Sequence, residues 1–188
     1  PLNAIINFTQ LLEEELNPEV ADDLNVVFSS IKMAGERLTR TIDIILNLAE
    51  VQSGNFNFTA VEFDIMDICE AINTDYETKA HNKQLDFKII KLTENTKLIA
   101  DQFSIWHILK NLVDNAIKFT SEGKVEVSIF RDAEAKLVVE VADTGIGIAK
   151  EFIPNLFEPF SKLGQAYPVK YEGNGIGLAL TRKYCILN

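Results

Sequence analysis

Leu137-Val138-Val139-Glu140-Val141-Ala142-Asp143-Thr144-Gly145-Ile146-Gly147-Ile148 is the stretch on which the architecture turns. Its first five residues are mostly β-branched and too short for a helix, so Leu137–Val141 reads as a strand. A carboxylate and two glycines then follow directly. Such a strand end lets Asp143 accept a hydrogen bond from an exocyclic amine while the Gly145–Gly147 backbone passes close to a planar ring. The same letters also describe a tight turn that needs positive φ.

Working outward, Val125–Phe130 has strand character, and the polar Arg131–Lys136 turn makes it an antiparallel partner of Leu137–Val141. Upstream, the pattern predicts a helix near Ile65–Ala80, a strand near Leu85–Lys91, a short strand Lys97–Ala100 and a helix near Gln102–Phe119. A last helix opens near Asn174. Helices and strands that intermix in this way predict an α+β fold, an α/β sandwich with a mixed sheet under helices.

The first 54 residues follow a different rule. Leu24, Phe28, Ile31, Gly35, Leu38, Ile42, Ile45, Ala49 and Gln52 fall alternately four and three apart, which is a coiled-coil seam on one long helix from about Glu19 to Ser53. Leu2, Ile5, Thr9, Leu12 and Leu16 repeat the spacing, and Asn17-Pro18 interrupts it because proline cannot continue a helix. The pattern predicts a helical hairpin, half of a dimeric four-helix bundle. Packing of the seam on the rest of the same chain is the alternative. Ser53-Gly54-Asn55 marks the boundary, giving two domains, 1–54 and 55–188.

Composition limits the function. The 188 residues carry 18 Lys+Arg against 28 Asp+Glu, a net charge of −10, which argues against a nucleic-acid binder. No apolar run is long enough to span a membrane, and the start lacks a signal peptide, so no membrane contact is expected of these residues. Cys69 and Cys185 stand far apart, which suits a reducing, cytoplasmic setting and suggests neither a disulfide framework nor a zinc site. Both ends read as cut from a longer chain.

Two further clusters could carry chemistry. Asn111, Asn115 and Lys118 share one face of their helix, a stripe of neutral oxygens and one ammonium that suits a phosphate chain and its Mg²⁺. A solvated helix face has the same look. Gly173-Asn174-Gly175-Ile176-Gly177-Leu178 leads into the last helix, where backbone N–H groups can face an anion. The spacing is neither a dinucleotide fingerprint nor a P-loop. The roughly 25 residues between the second and third clusters, including Phe157-Glu158-Pro159-Phe160, have the length of a functional lid.

In this order, the Asn-rich Asn111–Phe119, Asp143-x-Gly-x-Gly, Phe-Glu-Pro-Phe and Gly-x-Gly-x-Gly-Leu resemble the ATP-binding domain of sensor histidine kinases of two-component systems. Pro1-Leu2-Asn3-Ala4-Ile5 is similar to the end of that family's phospho-acceptor box, and Asp43–Glu50 to the end of its second dimerisation helix. The resemblance implies ATP and Mg²⁺ as cofactors, with Asn115 as the metal ligand, Asn111 and Lys118 near the phosphates, Phe119 near the adenine and Asp143 on its amino group. It also implies hinge roles for Gly145 and Gly147, phosphate-side positions for Gly173, Gly175, Gly177 and the adjoining Leu178, and a γ-phosphate contact from Lys162.

The implied reaction is transfer of the γ-phosphate to a histidine, then to an aspartate of a response-regulator receiver domain. The family's acceptor histidine would lie five residues before Pro1, so the resemblance leaves no catalytic side chain here and predicts a core that is inactive alone and binds ATP weakly. His81 and His107 read as ordinary polar positions. Membrane attachment of parent proteins is common in the family but has no support in these residues. Two alternatives remain: a degenerate kinase serving as a dimerising, regulator-binding scaffold, and an ATPase of the same nucleotide fold.

Overall fold

The computed structural model describes residues 5–9, 12, 22–161 and 175–188. The chain divides into two compact units at the Gly54–Asn55 junction. In the first, residues 5–9 and 12 are helical and α1 spans Asp22–Ser53. Gly35 lets the two helical pieces approach closely, for a Cβ there would meet Ile6 Cγ1 at 2.8 Å. Ile31, Leu38, Ile42 and Ile45 of the seam stay exposed along α1, which ends at Gly54 with φ of 73°. The Asn17-Pro18 turn expected between the helices lies outside the described residues.

The second unit runs β1 (Ala60–Asp64), α2 (Ile65–Asn82), β2 (Asp86–Lys91), β3 (Lys97–Asp101), α3 (Gln102–Phe119), β4 (Lys124–Arg131), β5 (Leu137–Asp143), a 3₁₀ turn (Ile153–Asn155) and α4 (Gly177–Leu187). β4 is central, parallel to β2 and antiparallel to β5, while β1 and β3 form a separate antiparallel ribbon. The mixed sheet and its antiparallel pair are therefore as the sequence predicts.

Short polar side chains set the helix starts. Asp64 accepts from the Met66 N–H at 2.9 Å and caps α2; Asp101 accepts from the Ser104 N–H at 2.7 Å and caps α3. Ile65, Ile68, Ile72 and Tyr76 then line one face of α2, and Leu109, Val113, Ala116 and Ile117 one face of α3. Both stripes bury against Val125, Val127 and Ile129, the alternate residues of β4 that point to the same side of the sheet.

Three boundaries differ from the sequence reading. β1 is absent from it, because Ala-Val-Glu-Phe-Asp is short, acidic and largely exposed, and its pairing with β3 rather than its own pattern makes it a strand. β5 continues two residues to Asp143, which pairs with Val125, so the carboxylate is the last residue of the ladder rather than the first of the loop. α4 begins at Gly177, and the expected start near Asn174 lies outside the described residues.

Candidate functional site

α3 is the element on which the predicted residues converge. Asn111, Asn115, Lys118 and Phe119 are all half-buried on it, over a length of about 12 Å at 1.5 Å per residue. Each neighbouring segment meets a different part of that length.

At the N-terminal end of the stripe, Asn111 Nδ2 donates to Thr181 Oγ1 of α4 at 2.9 Å. A Cβ on Gly177 would lie 2.4 Å from Asn111 Oδ1, so only glycine allows α4 to start this close to α3. Asn111 is thus committed to the α3–α4 contact. Among the described residues Asn115, one helical turn on, has no hydrogen-bond partner for its carboxamide. Lys118 continues the face, with its ammonium 4.8 Å from the centroid of the Phe119 ring.

The C-terminal end meets the loop after β5. Asp143 is exposed and its Oδ1 accepts from the Gly145 N–H at 2.8 Å, an Asx turn that orders the glycine run. Gly145 is seated against α3: a Cβ there would meet the Phe119 carbonyl oxygen at 2.5 Å. The Ile146 N–H completes the contact, donating to the same carbonyl at 3.3 Å. Thr144 pins the loop to β4 from the other side, with Oγ1 accepting from the Lys124 N–H at 2.9 Å and its own N–H donating to the Lys124 carbonyl at 3.1 Å. Phe119, Asp143 and Gly145 are therefore one assembly, and Asn111 and Gly177 a second, joined by the Asn115–Lys118 face.

The other positions are more scattered. Gly147 has φ of 68° with open space where a Cβ would be, and Gly175, with φ of 65°, lies against the Ser161 carbonyl. Leu178 is half-buried in the first turn of α4. In the Phe157-Glu158-Pro159-Phe160 run both aromatic rings are exposed, and the Arg182 guanidinium of α4 sits 5.9 Å from the Phe157 centroid. Lys162 and Gly173 lie outside the described residues.

Two participants were not singled out from the sequence. Thr181 is one helical turn beyond Gly177, so spacing alone could have placed it beside Asn111. Buried Tyr76 of α2, whose hydroxyl donates to Asp114 Oδ1 at 3.2 Å, steadies α3 from its opposite side and carries no local signal.

A metal fits this site only in one manner. The described residues hold no group of three or more His, Cys, Asp or Glu side chains able to enclose an ion. A single hard oxygen, the carboxamide of Asn115, matches the way Mg²⁺ binds when it keeps its waters and takes its remaining ligands from a phosphate chain.

Residues 100–187 match the family described as histidine kinase-, DNA gyrase B- and HSP90-like ATPase. The autoinducer 2 sensor kinase/phosphatase LuxQ of Vibrio cholerae is 34% identical over 96% of this chain, and the signal transduction histidine-protein kinase BarA of Escherichia coli K12 is 30% identical over 97%. The chain spans about a fifth of each, 21% and 20% respectively. Among solved structures, full-length ShkA in complex with AMPPNP has the same fold, with a TM-score of 0.78 at 22% identity, covering 100% of this chain and 38% of that one. Histidine kinase ThkA in complex with response regulator protein TrrA gives a TM-score of 0.57 at 25% identity, covering 86% and 47%. With its Asn-bearing helix, its Asp143 loop and these relatives together, the chain belongs to the sensor histidine kinases, and residues 100–187 form the core of their ATPase-type domain.

Proposed function

We propose that this chain is part of the catalytic core of a two-component histidine kinase, in which residues 55–188 bind Mg-ATP and residues 1–54 form the dimerisation hairpin. The observation that carries the reading is the single face of α3: Asn111, Asn115 and Lys118 run along it, and it ends at the Phe119 carbonyl that holds the Asp143 loop. Asp143 accepts the adenine amino group, the glycine backbone beside it passes the ring, and Lys118 neutralises phosphate charge. Asn115 holds Mg²⁺, which screens the phosphate charge as the γ-phosphoryl group leaves. Gly175, Gly177 and Leu178, with Lys162 and Gly173, bound the phosphate end.

Catalysis of phosphoryl transfer is chiefly positioning and charge neutralisation, so this reading asks no side chain here to form a covalent bond. The acceptor imidazole belongs to the dimerisation helix upstream of Pro1, and the next acceptor is an aspartate of a response-regulator receiver domain in the cytoplasm. The exposed α1 seam supports a homodimer, since Ile31, Leu38, Ile42 and Ile45 gain burial in a four-helix bundle. Hydrolysis is expected to be slow, because Asn111 stands one helical turn before the metal ligand and its amide, bonded to Thr181, cannot act as a general base.

Calorimetric titration of the 188-residue chain with Mg-AMPPNP tests the reading. Binding that depends on Mg²⁺ and is lost in Asn115→Ala is the expected result. Equal affinity in the variant rejects the metal-ligand role, and no binding by the unaltered chain favours the scaffold reading instead.

A further inference from the structure

The last turn of α3 presents a question of accounting. An α-helix leaves its final four carbonyls without intrahelical partners, and each must find a donor elsewhere. At the end of α3 all four are accounted for. The Ala116 carbonyl accepts from Thr120, through its N–H at 3.1 Å and its hydroxyl at 2.7 Å. The Phe119 carbonyl accepts from Ile146 N–H of the Asp143 loop. The two between them, on Ile117 and Lys118, both accept from one ammonium: Lys83 Nζ reaches them at 2.8 and 3.2 Å.

Lys83 is well placed for this because its own backbone is fixed. It follows α2 directly, its N–H donates to the Ala80 carbonyl at 3.0 Å, and the next residue, Gln84, takes the left-handed conformation with φ of 58° that turns the chain into β2. Leu85 N–H then returns to the Ala80 carbonyl at 2.9 Å, and Asp86 N–H to the Gly123 carbonyl at 2.9 Å. A cation at a helix C-terminus also opposes the negative end of the helix dipole.

We propose that Lys83, which touches no nucleotide, is a positioning residue for the nucleotide site: its ammonium clamps the end of α3 from the α2–β2 turn, as Ile146 clamps it from the Asp143 loop. The proposal rests on the nucleotide reading above. Residues Lys118 and Phe119 lie within the clamped turn, and the Phe119 carbonyl is what the Asp143 loop is hung on. Without the ammonium, the Ile117 and Lys118 carbonyls turn to water, the last turn frays, and both the Lys118 side chain and the loop lose their common reference.

The test compares the unaltered chain with Lys83→Met, Lys83→Gln and Lys83→Arg, reading amide hydrogen exchange and Mg-AMPPNP affinity. A helix-terminal charge contact of ordinary strength corresponds to about a two- to fivefold effect. Met and Gln are expected to speed exchange at Thr120 and Ile146 by that factor while leaving Val127, in the middle of β4, unchanged. They are expected to weaken Mg-AMPPNP by a similar factor, and Arg to restore both to within about twofold. Unchanged exchange at Ile146, a change shared equally by Val127, or Arg behaving as Met overturns the proposal. If the exchange pattern appears but the unaltered chain binds no Mg-AMPPNP, it is the nucleotide reading that fails, and the clamp is then a structural feature only.

Discussion

Asn111 of α3 and Thr181 of α4 are joined by a 2.9 Å hydrogen bond directly beside Gly177, so the two helices meet where no side chain intervenes. Gly177→Ala places a methyl group 2.4 Å from Asn111 Oδ1, which must break that bond or push α4 outward. A cost of about 1–3 kcal/mol is expected from such overpacking. Thr181→Val removes only the bond, at about 1 kcal/mol. Urea unfolding of the two variants separates the terms: Gly177→Ala is expected to be the more damaging.

Gly145 faces backbone rather than side chain. Its missing Cβ would lie 2.5 Å from the Phe119 carbonyl oxygen, an atom that cannot rotate away. Gly145→Ala is therefore expected to detach the Asp143 loop from α3 and weaken Mg-AMPPNP by more than about tenfold, near 1.4 kcal/mol. Titration calorimetry checks this, and an affinity within twofold of the unaltered chain contradicts it.

Asp64 makes α2 sensitive to acid. The Met66 N–H, followed by the Thr96 hydroxyl, holds its carboxyl below the ordinary value of 3.8. A carboxyl lowered on folding contributes stability that is fully present above its unfolded value and is lost as pH falls through the folded one. Asp64→Ala is expected to cost about 1 kcal/mol at pH 7 as a lost N-cap. The gap between the two proteins should close in urea unfolding carried out progressively below pH 4.

The two thiols differ in access. Cys69 is buried on α2, and that burial pushes its thiol up to about 11, whereas Cys185 is exposed as a residue although its surroundings partly desolvate the sulfur and raise it too. Thiolate is the reactive form. An aromatic disulfide reagent at neutral pH is expected to label Cys185 alone in the folded chain, and Cys69 only after denaturant is added. Rapid labelling of both contradicts the packing of α2.

The sequence makes α3 legible because three signals agree there: a capping aspartate, an apolar stripe of helical period, and a polar stripe on another face. Its predicted bounds, Gln102–Phe119, coincide with those observed. β4 and β5 were legible for similar reasons, as β-branched residues flanking a polar turn. β1 was not, because a strand made by its partner leaves little trace in its own five residues. Within the site, residue types pointed to the Asn111, Asn115 and Asp143 positions, but the bonds organising them involve carbonyls and distant donors. Thr181 lies 70 residues beyond Asn111, and a contact at that range has no local pattern to announce it.

The strand order gives the second unit a late point of completion. β2 runs alongside β4, and their register from Asp86 opposite Lys124 to Lys91 opposite Ile129 spans chain that must first form β3 and all of α3. Parallel partners cannot be reached through a tight hairpin. On a ribosome, β2 therefore waits with an unsatisfied edge until β4 has cleared the exit tunnel, and release of a polypeptide stopped short of Arg131 would leave that edge free to seek a strand in another molecule.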